Sequence, residues 1–183
     1  MDRNAMMGSG KWLALLLLAA LSGCESMSVS ECKVADWSRV GYNDGASGAP
    51  ESKLADYTED CGKAGIRPNA RAYRQGWDNG IQHYCTAANG WREGVQGRSG
   101  KESVCQGQPG YRGFARYLES GLRVYRTQEQ IKRNSSEISR LEKELSNATK
   151  DDEKKRLRES LRDLDRSQTR LRHLLAEQQQ AAP

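Results

Sequence analysis

The stretch Tyr73-Arg74-Gln75-Gly76-Trp77-Asp78-Asn79-Gly80-Ile81-Gln82-His83-Tyr84 decides how the chain is read. Tyr73, Gly76, Trp77, Gly80, Ile81 and Tyr84 recur three and four residues apart, which puts them on one face of a helix. Asn69, just after Pro68, supplies a side chain suited to capping its start. A glycine inside a helix costs about 1 kcal/mol relative to alanine, so two of them in one face need an offsetting contact. Close approach of another helix supplies it, because glycines four apart leave a flat groove on the surface.

The same spelling, glycine, aromatic, any residue, a further polar residue, glycine, occurs in GYNDG at Gly41–Gly45 and GWREG at Gly90–Gly94. Around the first copy, Trp37, Val40, Gly41, Asp44 and Gly45 follow the helical template, with Asp36 as cap. The third copy begins it at Trp91, Gly94 and Val95 and then dissolves into Gly97 and Gly100. The copies have no fixed period, which excludes a solenoid. Packing of helices through these glycine faces, with the aromatics as core filler, is the first reading. The second is a ligand surface for a glycan or muropeptide, with Trp37, Tyr42, Trp77 and Trp91 as platforms and Asp44 and Asp78 as polar partners.

The start of the chain points to the cell envelope. Arg3 and Lys11 precede the apolar run Trp12–Ala20, which is too short to span a bilayer, and small residues follow. Leu21-Ser22-Gly23-Cys24 resembles the bacterial lipobox, which implies cleavage before Cys24 and acylation of its thiol. Residues 1–23 are therefore expected to be a signal peptide and 24–31 a lipidated tether. Glu25 after the anchor favours the outer membrane, facing the periplasm.

Beyond the signal, Cys32, Cys61, Cys85 and Cys105 are expected to form two disulfides, with three connectivities open. A metal site is disfavoured, because no CxxC pair occurs and the histidines are His83 and His173. The segment from Cys24 to Phe114 carries 11 acidic and 11 basic side chains and is rich in glycine and aromatics. From Ala115 onward there are 12 acidic and 16 basic, with almost no glycine or proline, a composition of long helices. The charge is mixed along those helices and does not form a nucleic-acid footprint. No Walker loop, GxSxG or HExxH motif is present, and no cofactor is implied. His83 with Asp78, or Asp44 with Asp78, are the combinations a hydrolase would need, and no spacing identifies either.

In order, Cys32, Trp37, Gly41, Asp44-Gly45, Gly48, Leu54, Cys61, Gly65, Tyr73, Gly76, Gly80, Tyr84-Cys85, Gly90, Gly94, Gly97 and Val104-Cys105 resemble a family of small Gram-negative lipoproteins, the domain of unknown function numbered 2799. The resemblance runs from about Glu31 to Gln106 and implies an envelope lipoprotein without supplying an activity.

The remainder is expected to be a hairpin. One apolar stripe runs through Phe114, Leu118, Leu122, Tyr125, Ile131, Ile138, Leu141 and Leu145, and a second through Leu157, Leu161, Leu164, Leu171 and Leu175. Continued unbroken, the first would place Asp152 and Glu159 in the seam, so the phase breaks near Ser146–Asp152, where Thr149-x-x-Asp152 has the form of a capping box. Folding there sets Asn134-Ser135 opposite Gln168, a polar layer of the kind that fixes register. An intermolecular coiled coil is the alternative. The expected fold is all-α: a disulfide-stapled helical domain over 32–110 and a helical hairpin over 111–183. The expected function is a non-enzymatic structural or interaction protein, held on the membrane through Cys24. Its helical tail would dock an envelope protein or peptidoglycan.

Overall fold

The computed structural model describes residues 26–183. The expected signal peptide, the expected lipidation site Cys24 and Glu25 lie outside the described residues. Helices follow one another as α1 (Val29–Val34), α2 (Trp37–Ala46), α3 (Lys53–Gly62), α4 (Ala70–Tyr84) and α5 (Ala87–Val95). Two short 3-10 turns, Ser99–Lys101 and Ser103–Cys105, precede the long helices α6 (Tyr111–Asn147) and α7 (Asp151–Gln179). The fold is all-α, as the periodicity requires.

The starts of the short helices follow from their caps. Asp36 accepts from the backbone of Ser38 and Arg39, Asn69 from Ala72, and Thr86 from Asn89. Each bond satisfies an amide that the first turn leaves without a partner. Ser28 and Glu31 form a reciprocal capping box on α1. Residues 26–31 are thus not a free tether: they are packed, capped and partly helical.

The glycine faces pair the helices. A Cβ added at Gly41 would lie 2.0 Å from the Tyr73 carbonyl oxygen, and one at Gly76 would lie 1.9 Å from that of Ser38. Gly45 and Gly80 meet Trp77 and Tyr42 in the same way, so α2 and α4 are locked backbone to backbone. A second pair, α5 with α6, repeats the construction. Gly90 faces the Phe114 carbonyl, Gly94 that of Leu118, and Gly121 that of Trp91. The correspondence holds residue by residue. Tyr73, Trp77, Gly80, Ile81 and Tyr84 on α4 match Phe114, Leu118, Gly121, Leu122 and Tyr125 on α6. Gly48 and Gly97 end the glycine-bearing partners at φ +69 and +74, each lying against a tyrosine ring, Tyr84 and Tyr125 respectively.

Disulfides Cys32–Cys61 and Cys85–Cys105 close the core, the first tying α1 to α3 and the second tying the end of α4 to the turn before α6. All four cysteines are buried. The aromatic core runs through Trp37, Tyr57, Tyr73 and Tyr84, and Tyr84 reaches Phe114 at 5.6 Å between ring centroids to join the two pairs. Phe114 and Leu118, 0% and 2% exposed, belong to this core. The stapled unit therefore extends past residue 110 into the first turns of α6.

From there α6 runs on against α7. Asn134 Nδ2 donates to Ser167 Oγ (3.2 Å), and Gln168 Nε2 donates to Ser135 Oγ (2.8 Å), fixing an antiparallel hairpin with a polar layer at the expected height. The expected capping box at Thr149 does not form. Lys150 occupies the cap without a side-chain bond, and Asp151, Asp152 and Glu153 fill the first turn of α7. Three carboxylates facing the positive end of the helix dipole do the work of the missing cap.

Candidate functional site

The residues expected to form a ligand surface are divided by the fold. Trp37, Asp44 and Trp77 are buried, and Trp77 Nε1 donates to the Ala49 carbonyl at 2.8 Å. Trp91 is half-buried, while Tyr42 and Asp78 are exposed. Tyr42 meets the exposed His83 edge-on, with ring centroids 5.8 Å apart. The four aromatics do not converge on one face.

Asp44 sits instead at the centre of a polar cluster. Its Oδ2 accepts from the hydroxyls of Tyr57 and Tyr73, each at 2.9 Å, and its Oδ1 accepts from Lys53 Nζ at 2.7 Å. Burial, reinforced by the Asp44 hydrogen bond, pushes the Tyr73 phenol well above its ordinary range and raises that of Tyr57. Burial also opposes the charge on Lys53, but hydrogen bonds to Asp44 and Tyr57 outweigh it and hold the ammonium charged. With both oxygens engaged, the carboxylate cross-links α2, α3 and α4. Lys53 and Tyr57 were missed from sequence, because α3 carries no glycine face to draw attention to it.

The second helix pair holds a counterpart. Glu93, 7% exposed, accepts from Arg98 through Nε and Nη2 at 2.5 and 2.9 Å. The Arg98 bonds hold the Glu93 carboxyl below the usual range against the effect of burial. Asp44 follows Gly41, and Glu93 follows Gly90, at the same spacing. Each half thus buries one carboxylate beside its glycine face and neutralises it with a cation reached after the helix ends.

Two surface features remain. An open groove of about 590 Å³ lies between α3 and α4, lined by Glu51, Ser52, Leu54, Ala55, Thr58 and Arg74, with Arg74 paired to Glu51 across its rim at 2.8 Å. The hairpin is the larger surface. Arg140 joins Glu137 and Glu144 along α6, and Arg166 pairs with Asp163 on α7. Among the described residues, the exposed Arg156, Arg158, Arg162, Arg170 and Arg172 of α7 make no ion pair. No group of histidine, cysteine or carboxylate side chains suited to a metal occurs among the described residues. No described helix is long and apolar enough to cross a membrane.

These features define a small stapled helical domain, built from two glycine-faced helix pairs and extended by a charged hairpin. Residues 36–123 match the family described as Protein of unknown function (DUF2799). The matched segment opens on the α2 cap, Asp36, and closes just after Gly121 and Leu122 of the second helix pair. It runs further than the resemblance ending at Gln106. No curated protein and no solved structure matches the chain.

Proposed function

We propose that the chain is a non-enzymatic envelope lipoprotein, acylated at Cys24 and held on the outer membrane, whose hairpin serves as a docking arm for a periplasmic protein or for peptidoglycan. The observation that carries this reading is how the surfaces are used. The glycine faces are consumed in packing, whereas past Tyr125 the side-chain bonds of helix α6 to another described element run to α7, between Asn134 and Ser167 and between Ser135 and Gln168. That leaves about 22 residues of α6, roughly 33 Å, as an arm with charged outer faces. Unpaired arginines on an exposed helix suit an acidic or hydrogen-bonding partner, because guanidinium offers five donors in a fixed fork. A second reading, a glycan-binding module, rests on the exposed Tyr42–His83 pair.

In-cell photo-crosslinking separates the two. Probes at Arg140 and Arg162 are expected to give discrete adducts with protein or peptidoglycan, and a probe at Tyr42 none. Glycan adducts at Tyr42 with silence along the arm would reverse the ranking.

A further inference from the structure

The described chain begins with a fastening. Ser26 donates both its backbone N–H and its hydroxyl to Asp60 Oδ2, each at 2.7 Å. Asp60, on the last turn of α3, also accepts from Lys63 Nζ at 2.7 Å through its other oxygen. Met27 packs against the aromatic core, Ser28 caps α1, and Cys32 is bonded to Cys61, the neighbour of Asp60. Within residues 26–32 the chain is tied to α3 by hydrogen bonds, packing and a covalent bridge. Hydrogen bonds from Lys63 and then Ser26 lower the Asp60 carboxyl to about 2. The acceptor is therefore ionised at any pH an envelope protein meets.

Helix α1 leaves apolar side chains open to solvent near this fastening. Val34 is 83% exposed and Val29 43%, and the exposed Lys33 stands next to Val34.

We propose that the Ser26–Asp60 clamp seats the stapled domain directly on the lipid headgroup surface, with α1 as the element that touches it. This rests on the reading of Cys24 as the acylated residue. Cys24 lies two residues before Ser26, and two residues reach at most about 7 Å. The lipid anchor and the clamped end of the domain are then separated by about the depth of one headgroup layer. A valine entering the interface loses water-exposed apolar surface, and a neighbouring lysine meets anionic phosphates, so Val34 and Lys33 both gain there. The arm is then carried at a set angle by a rigid base, where a loose tether would let it sample all directions.

The test uses the full-length protein, purified with its anchor and reconstituted into phosphatidylethanolamine–phosphatidylglycerol vesicles. A fluorescent non-natural amino acid replaces Val34 or, in a separate sample, Arg140, and the lipids carry bromine near the acyl carbonyl to quench a probe at the interface. The probe at position 34 should lose roughly half its emission and the probe at 140 almost none. Asp60→Ala should weaken the quenching at position 34 while flotation with vesicles is unchanged. Should that variant fail to fold, a spacer of about six glycine and serine residues between Glu25 and Ser26 lengthens the reach without touching the core and should weaken quenching equally. Unquenched emission at position 34 in protein that floats would overturn the seating and leave the anchor standing. A protein without acyl mass on Cys24 that does not float removes the anchor reading, and the seating with it.

Discussion

Helix α6 lives in two packing regimes. Its first turns meet α5 through glycines, with Gly90 and Gly121 each set against a carbonyl oxygen of the other helix. Its later turns meet α7 through side chains. There Ile131, Ile138, Leu145, Leu157, Leu161, Leu164, Leu171 and Leu175 are only half-buried, and burial is complete at few positions, among them Leu141 and Gln168. The first interface leaves no room for a methyl group. One helix thus meets one neighbour backbone to backbone and the other through half-buried side chains.

The contrast is most open to attack at Gly76. Its added Cβ would stand 1.9 Å from the Ser38 carbonyl oxygen, and backbone cannot step aside as a side chain can. Gly76→Ala is expected to cost about 4 kcal/mol, at the severe end for overpacking, because α2 and α4 must part along their whole contact. For a chain of this size the melting temperature should fall by roughly 10 °C or more. Calorimetry showing a change within a degree or two would mean that the glycine interface yields like the hairpin. The second pair sharpens the point. The position matching Gly76 there is Tyr117, half-buried, so one of the four glycine contacts is dispensable in that geometry.

Next in size is the Cys85–Cys105 bridge, which spans a sequence separation of 20 between the two pairs. Replacing both cysteines by alanine should remove about 3 kcal/mol by releasing the unfolded chain. Denaturant titration gives the magnitude, and amide exchange gives the place. Protection should drop first in α5 and the early turns of α6, and later in α2 and α4. A uniform loss would mean that the two pairs fold as one cooperative unit.

Much of this was legible in the chain. The stripe from Tyr73 to Tyr84, the caps Asp36 and Asn69, the number of disulfides and the register at Gln168 all follow from spacing and chemistry. What was not legible is partnership. A glycine face says that a backbone comes close, not which one, and three similar faces gave no means of pairing them. The missing partner was α6, hidden because charged residues outnumber its core positions. Yet Phe114, Leu118, Gly121, Leu122 and Tyr125 repeat the α4 template, and that alignment would have found it. The candidate ligand surface fared less well for a related reason. Trp37 and Trp77 lie on the packed stripe itself, whereas Tyr42 and Asp78 follow them in sequence but point outward. The role of Asp60 left no pattern, since a hydrogen bond to Ser26 links residues 34 apart.

In the looser regime, Gln168 is the informative residue. It is 5% exposed and spends its amide on Ser135 in the polar layer. Buried polar layers in helical seams specify register at a cost in stability. Gln168→Leu should therefore raise the stability of the hairpin by about 1 kcal/mol while broadening the distances between α6 and α7 measured by paired spin labels. A loss of stability would show that the layer contributes net free energy, which would bring the arm closer in character to the core.

The smallest effect carries the sharpest sign. Gly62 closes α3, and a Cβ built there meets no atom within 4 Å. Its backbone is not in the left-handed region reserved for glycine, which the chain uses at Gly48, Gly65, Gly97 and Gly107. Nothing in the fold therefore requires glycine at 62, and the residue contributes only the conformational freedom it adds to the unfolded chain. Gly62→Ala should stabilise by about 0.5 kcal/mol, because it restricts that freedom and favours the helix. The same methyl group added at Gly76 is expected to act in the opposite direction and several times more strongly. Composition and helical propensity treat the two glycines alike, so only the distance to the neighbouring backbone predicts the difference in sign. If both substitutions moved the melting temperature the same way, the close approach of α2 and α4 would not be what holds the core together.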